Sequence, residues 1–150
     1  MKNLIFLDFD GVLNNQASLL EGVHICADKV ILLRNFCEQY DCSIVISSYW
    51  REGRTLQELK DILMHVGFYC PHRIIGMTPV SDSKDGNFTG YDRGYEIEKW
   101  LHYQNEDYHY VILDDECDML EYQMSRLVKI DSNIGLISLH LQKMKDVLGL

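Results

Sequence analysis

No stretch of this 150-residue chain is apolar over the roughly 20 residues that a membrane-spanning helix needs. No segment is low in complexity, and no internal repeat is present. The N-terminus, Met1-Lys2-Asn3-Leu4-Ile5-Phe6-Leu7-Asp8, lacks the apolar core of a secretory signal, because a carboxylate cuts the run short. A cytoplasmic location and no membrane partner are therefore expected. Cysteines number five, an odd count, and no two form a C-x-x-C pair. That excludes a simple disulfide framework and a zinc ribbon, and reduced thiols are expected. The six histidines form neither H-x-x-x-H nor H-E-x-x-H, so a zinc site is not expected either. Positive charge is also scarce: 14 Lys and Arg face 23 Asp and Glu, for a net charge of −9. Such a chain is not built for strong non-specific nucleic-acid binding, which depends on neutralising phosphates.

What is present suits one ordinary domain over residues 1–150. At this length a chain buries roughly 68–70% of its unfolded surface and needs no staples. Leu4 to Phe9 is a short apolar run stopped by Asp10-Gly11, as in a strand buried on both faces. Val30, Leu33, Phe36, Cys37 and Tyr40 fall at helical spacing across 27–40. Ser43 to Ser47 is a second apolar run. Thr55 and Glu58 form a capping box opening a helix with Leu59, Ile62, Leu63 and Val66, which Gly67 ends. Arg73-Ile74-Ile75 is a short strand candidate, and Met77 to Tyr91 reads as loop. Asp92 to Tyr103 reads as helix, Tyr110 to Leu113 and Leu127 to Ile130 as strands. Ile137, Leu141, Met144 and Leu148 mark one face of a last helix. Strands alternate with helices throughout, which predicts a three-layer α/β sandwich with a mainly parallel, five-stranded, Rossmann-type sheet.

The strand ends carry the chemistry. The first ends in Asp8 and Asp10, the second in Ser47 and Ser48, the fourth in Asp114 and Asp115. In a parallel sheet these residues share one edge, where such folds bind ligands. Each alone could merely start a loop. Together, four carboxylates at one edge would repel one another unless a cation sat among them. Oxygen-only ligands suit Mg²⁺.

The run Leu7-Asp8-Phe9-Asp10-Gly11-Val12 resembles the first motif of the haloacid dehalogenase (HAD) superfamily. Ile46-Ser47 resembles its second motif, and Asp114-Asp115 after Val111-Ile112-Leu113 its acidic fourth. Arg93 matches the basic third motif, with Lys99 and Lys84 as alternatives. Asp118 is an alternative to Asp115. The resemblance implies that Asp8 attacks phosphorus and that Asp10 protonates the leaving oxygen and later activates water. It implies that Asp8, Asp10 (through its backbone carbonyl), Asp114 and Asp115 hold Mg²⁺. Ser47, its neighbour Ser48 and Arg93 would hold the phosphoryl oxygens. Ser47-Ser48-Tyr49-Trp50-Arg51 further resembles a run in short HAD domains, including those attached to RNA-repair enzymes. There Arg51 would reach substrate or clamp the loop, and Trp50 would stack on a base or pack beneath the loop.

Family members with a cap domain insert it after the first or third strand. Residues 11–26 and 76–91 are too short for one, so a capless, open site is expected. Such a site admits a nucleotide, a nucleic-acid end or a phosphoprotein. The resemblance thus implies a phosphomonoester phosphatase, plausible for nucleotide or polynucleotide 3′-phosphate ends. The alternatives are a HAD-like binding or regulatory module without turnover and a C–halogen hydrolase.

Overall fold

The computed structural model describes residues 1–80 and 92–150. The strands are β1 (Lys2–Leu7), β2 (Cys42–Ile46), β3 (Ile74–Met77), β4 (Tyr108–Asp114) and β5 (Leu127–Lys129). They form one sheet in the order β3-β2-β1-β4-β5, every pair parallel. The chain runs outward from β1 to β3, then crosses back to build β4 and β5 on the other side. The strand order therefore reverses beside β1, which opens a crevice at the carboxyl ends of β1 and β4.

Among the described residues five helices accompany the sheet: α1 (Gln16–Leu20), α2 (Ala27–Tyr40), α3 (Leu56–Val66), α4 (Asp92–His102) and α5 (Ser138–Leu148). The capping box of Thr55 and Glu58 opens α3, and Gly67 closes it at φ 123°. Strand residues alternate between two buried faces. Ile5, Leu7, Ile44, Ile46, Val111 and Leu113 pack with residues of α2, α3 and α5. Leu4, Phe6, Val45 and Ile112 pack on the other side with Ile97 of α4 and Met119. Each such aliphatic side chain contributes about 1.5–3 kcal/mol on burial, and this explains why the strands read as unbroken apolar runs.

Several boundaries differ from expectation. β3 starts at Ile74 because Pro71–Arg73 coil into a 3₁₀ turn, and it continues to Met77. β4 is longer than its apolar centre because it pairs along all of β1, from Lys2↔Tyr108 to Leu7↔Leu113. α1 was not expected. Its five residues bury no side chain, so no periodicity announces it, and Asn15 caps it. All five cysteines are free. Among the described residues no helix is long and apolar enough to cross a membrane.

Candidate active site

The sheet register assembles the site. The ladders pair Leu7 with Ile46 and with Leu113, and the pairing runs one residue further. The Ser47 amide donates to the Leu7 carbonyl at 2.9 Å, and the Asp8 amide to the Leu113 carbonyl at 3.0 Å. Asp8, Ser47 and Asp114 therefore leave three adjacent strands side by side. All are buried, with Asp8 6% and both others 0% exposed.

Carboxylate oxygens of Asp8, Asp114 and Asp115 all lie within 4.8 Å of one another. The fourth carboxylate expected in this group is directed elsewhere. Asp10 is exposed, and its Oδ1 accepts from Asn14 Nδ2 at 3.0 Å and from Trp50 Nε1 at 3.1 Å. Gly11 makes the crowding possible: at φ +79° a Cβ on it would stand 2.5 Å from Asp115 Oδ2. Asp118 plays a backbone part, its carbonyl accepting the Gly94 amide at 3.0 Å.

Arg93 enters from the first turn of α4. Its Nη1 is 3.8 Å from Asp8 Oδ1 and its Nε 3.8 Å from Asp114 Oδ2. These are Coulombic contacts, too long for hydrogen bonds. The guanidinium is 5% exposed and lies 5.1 Å from the Tyr49 ring centroid. A surface role for Arg93 is thus excluded, whereas Lys99, further along the helix, is exposed. Lys84 lies outside the described residues.

The electrostatics follow from burial and crowding. Burial foremost, with Asp114 and Asp115 adding to it against the opposing Arg93, pushes the Asp8 carboxyl up to about 9. Asp114 is pushed up to about 7, again by burial, although Arg93 and the Glu116 amide pull it back. Burial disfavours the charge on Arg93, but Asp114 and Asp8 outweigh it and hold the guanidinium above its ordinary range. One arginine does not neutralise three clustered carboxylates.

Around Asp8, three buried polar atoms have no hydrogen-bond partner: Ser47 Oγ, Arg93 Nη1 and Asp114 Oδ2; Thr78 Oγ1, past the end of β3, is a fourth at this edge. Such atoms are costly in a folded protein unless a ligand completes them. Of the three around Asp8, two are donors suited to phosphoryl oxygens, and one is an acceptor suited to a cation. Oxygen-only donors in a surplus-negative cluster fit a hard divalent ion. Beside them, a hollow of about 310 Å³ is lined by Asp10, Gly11, Asn14, Gln16, Leu19, Asp115 and Ser132. A second hollow, of about 450 Å³, shares Asp115 and Ser132 and reaches Lys129 and Asp131.

Ser48 caps the 3₁₀ turn Tyr49–Arg51, its Oγ accepting the Trp50 amide at 3.2 Å. Of the two options for Arg51, the clamp is what the structure contains. Arg51 is buried, donates to the carbonyls of Ser47, Ser48 and Thr78, and pairs with Glu96 at 2.5 Å. Trp50 packs on Phe9, with ring centroids 5.5 Å apart. Sequence reasoning missed Asn14, Tyr49 and Glu96 as parts of this site. Asn14 had one available signal, its place four residues after Asp10.

The model of the HAD domain in Swiss Army Knife RNA repair proteins matches residues 4–141, a span that holds every residue of this site. No curated protein and no solved structure gives a significant match.

Proposed function

From the premise that this chain belongs to the HAD-domain family of Swiss Army Knife RNA repair proteins, we propose that it is a Mg²⁺-dependent phosphomonoester phosphatase using Asp8 as nucleophile. The observation that carries the reading is the set of unpartnered buried atoms around Asp8: two donors for a phosphoryl group and one acceptor for a cation.

Asp8, Asp114 and Asp115, with the Asp10 backbone carbonyl, would hold the ion. When bound it neutralises the carboxylates and the charge developing on the transferring phosphoryl group. Ser47, just before the turn that Ser48 caps, and Arg93, from the first turn of α4, bind the phosphoryl oxygens. An Asp8 oxygen attacks phosphorus, the bond to the leaving oxygen breaks, and Asp10 gives that oxygen its proton. Water then attacks the aspartyl-phosphate while Asp10 takes up its proton. The phosphorus–Asp8 bond breaks, releasing phosphate and restoring the carboxylate.

The hollow beside Asp10 is where the leaving group would sit, since Asp10 must reach its oxygen. It is open, lined by more apolar than polar surface, and large enough for a nucleoside. With the family's association with RNA repair, this favours nucleotides or polynucleotide 3′-phosphate ends over phosphoproteins as substrates. The net charge of −9 suits a short terminal contact better than a long bound tract. A cytoplasmic site of action belongs to the same reading.

The test is Mg²⁺-dependent phosphate release across a phosphomonoester panel that includes 3′-phosphorylated oligonucleotides. Asp8→Asn is expected to abolish turnover on all of them while still folding. Turnover retained by that variant would remove Asp8 as nucleophile. A wild-type protein that neither turns over nor binds beryllofluoride with Mg²⁺ would instead be a non-catalytic module.

A further inference from the structure

Asp10 is exposed, and a free aspartate there would swing between rotamers. It is not free. Its Oδ1 receives two hydrogen bonds, from Trp50 Nε1 at 3.1 Å and Asn14 Nδ2 at 3.0 Å. Both donors are themselves fixed. Asn14 is fully buried; its Oδ1 accepts the Gly11 amide at 2.8 Å and its Nδ2 also donates to the His24 carbonyl at 2.8 Å. Those partners leave only one orientation for the amide, with the NH₂ toward Asp10. The Trp50 ring contacts the Phe9 ring and the Arg54 guanidinium, which lies 5.3 Å from its ring centroid. An indole N–H can only donate.

We infer that Trp50 and Asn14 are positioning residues for the acid/base carboxylate: together they commit Asp10 Oδ1 as an acceptor, so that the proton given to the leaving group rides on Oδ2. This rests on the phosphatase reading above and adds to it which oxygen acts and what holds it. The exchanged proton moves from Oδ2 to the leaving oxygen as its bond to phosphorus breaks, and Oδ2 recovers a proton from the attacking water. Neither donor touches the phosphoryl group.

A misplaced acid hurts poor leaving groups most, because a good one departs without a proton. Trp50→Phe keeps the ring on Phe9 and removes the N–H. Its rate on an alkyl phosphomonoester, divided by its rate on p-nitrophenyl phosphate, is expected to fall about tenfold or more from wild type, a modest part of the 10²–10⁴ that acid–base catalysis supplies. Parallel loss on both substrates, or no loss, would overturn the positioning role and leave the phosphatase reading standing.

A second measurement does not depend on activity. The chain has two tryptophans, so its spectrum holds two indole N–H resonances, and Trp50→Phe identifies one. Asp10→Ala is expected to shift the Trp50 indole resonance and speed its exchange with solvent. An unmoved resonance would overturn the proposal whatever the kinetics. An intact indole contact in a protein that turns over no phosphomonoester would overturn both readings together.

Discussion

At the scale of single residues, Arg93 shows how burial assigns a role that sequence leaves open. A basic residue in a helix's first turn is normally solvated. Here it is 5% exposed, stands 3.8 Å from two carboxylates and keeps Nη1 unpartnered. Its planar fork, rather than a flexible point charge, faces the place a phosphoryl group would occupy. Loss of one such charged donor typically removes about 2.7–4 kcal/mol of transition-state stabilisation. Arg93→Ala is therefore expected to lower kcat/KM by roughly 10²–10³, and Lys99→Ala, on the exposed side of α4, by less than about twofold. Steady-state kinetics of the two variants decide between them; a larger loss from Lys99→Ala would move the phosphate contact to that residue. The sequence marked Arg93 only through resemblance, since nothing in its local pattern reveals that α4 turns it inward.

At the scale of elements, the site depends on α4 being held against the ends of β2 and β3. Arg51 does this from the 3₁₀ turn after β2. It donates to the carbonyls of Ser47, Ser48, Thr78 and Pro79 and meets Glu96, one helical turn beyond Arg93. The pair is desolvated, with side chains 1% and 6% exposed, so removing one partner is costly. Arg51→Met is expected to destabilise the fold by about 3–5 kcal/mol and Arg51→Lys by less, read from urea-unfolding midpoints. A Met variant as stable as wild type would mean the clamp carries no net stability. Helices α2 and α3 and strands β1 and β4 were legible beforehand: α2 by its helical apolar period, α3 by its capping box, and the two strands by short apolar runs ending in carboxylates. Strand-end order was legible too, since a parallel sheet sends Asp8, Ser47 and Asp114 to one edge. A clamp was one option for Arg51, but its partner Glu96 and the Asn14 post were not legible. Their partners lie 45 and 10 residues away and are joined only by tertiary packing. Asp10's departure from the carboxylate cluster had the same cause, because its donors come from two separate loops.

At the scale of the whole molecule, the proposed site predicts that folding is coupled to pH and to metal. In the unfolded chain, Asp8 and Asp114 titrate near the ordinary aspartate value of 3.8, whereas folding pushes them up to about 9 and about 7. Burial is the main cause in both, followed for Asp8 by the Asp114 charge. Between these limits the folded chain binds more protons than the unfolded one, so stability falls as pH rises. The contribution of the pair is full below about 3.8 and is lost as pH climbs through the folded values near 7 and 9. A metal-free sample in chelator is accordingly expected to melt at a higher temperature at pH 5 than at pH 8. Mg²⁺ favours the ionised carboxylates and competes with those protons, so the increase in Tm that it causes should grow from pH 5 to pH 8. For a domain of this size 1 kcal/mol moves Tm by roughly 2–4 °C, and a difference of a few degrees between the two pH values is within reach of scanning fluorimetry. Asp114→Asn removes one buried carboxylate and should flatten both trends. A Mg²⁺ effect equal at both pH values, or unchanged in that variant, would place the cation away from the Asp8–Asp114–Asp115 cluster.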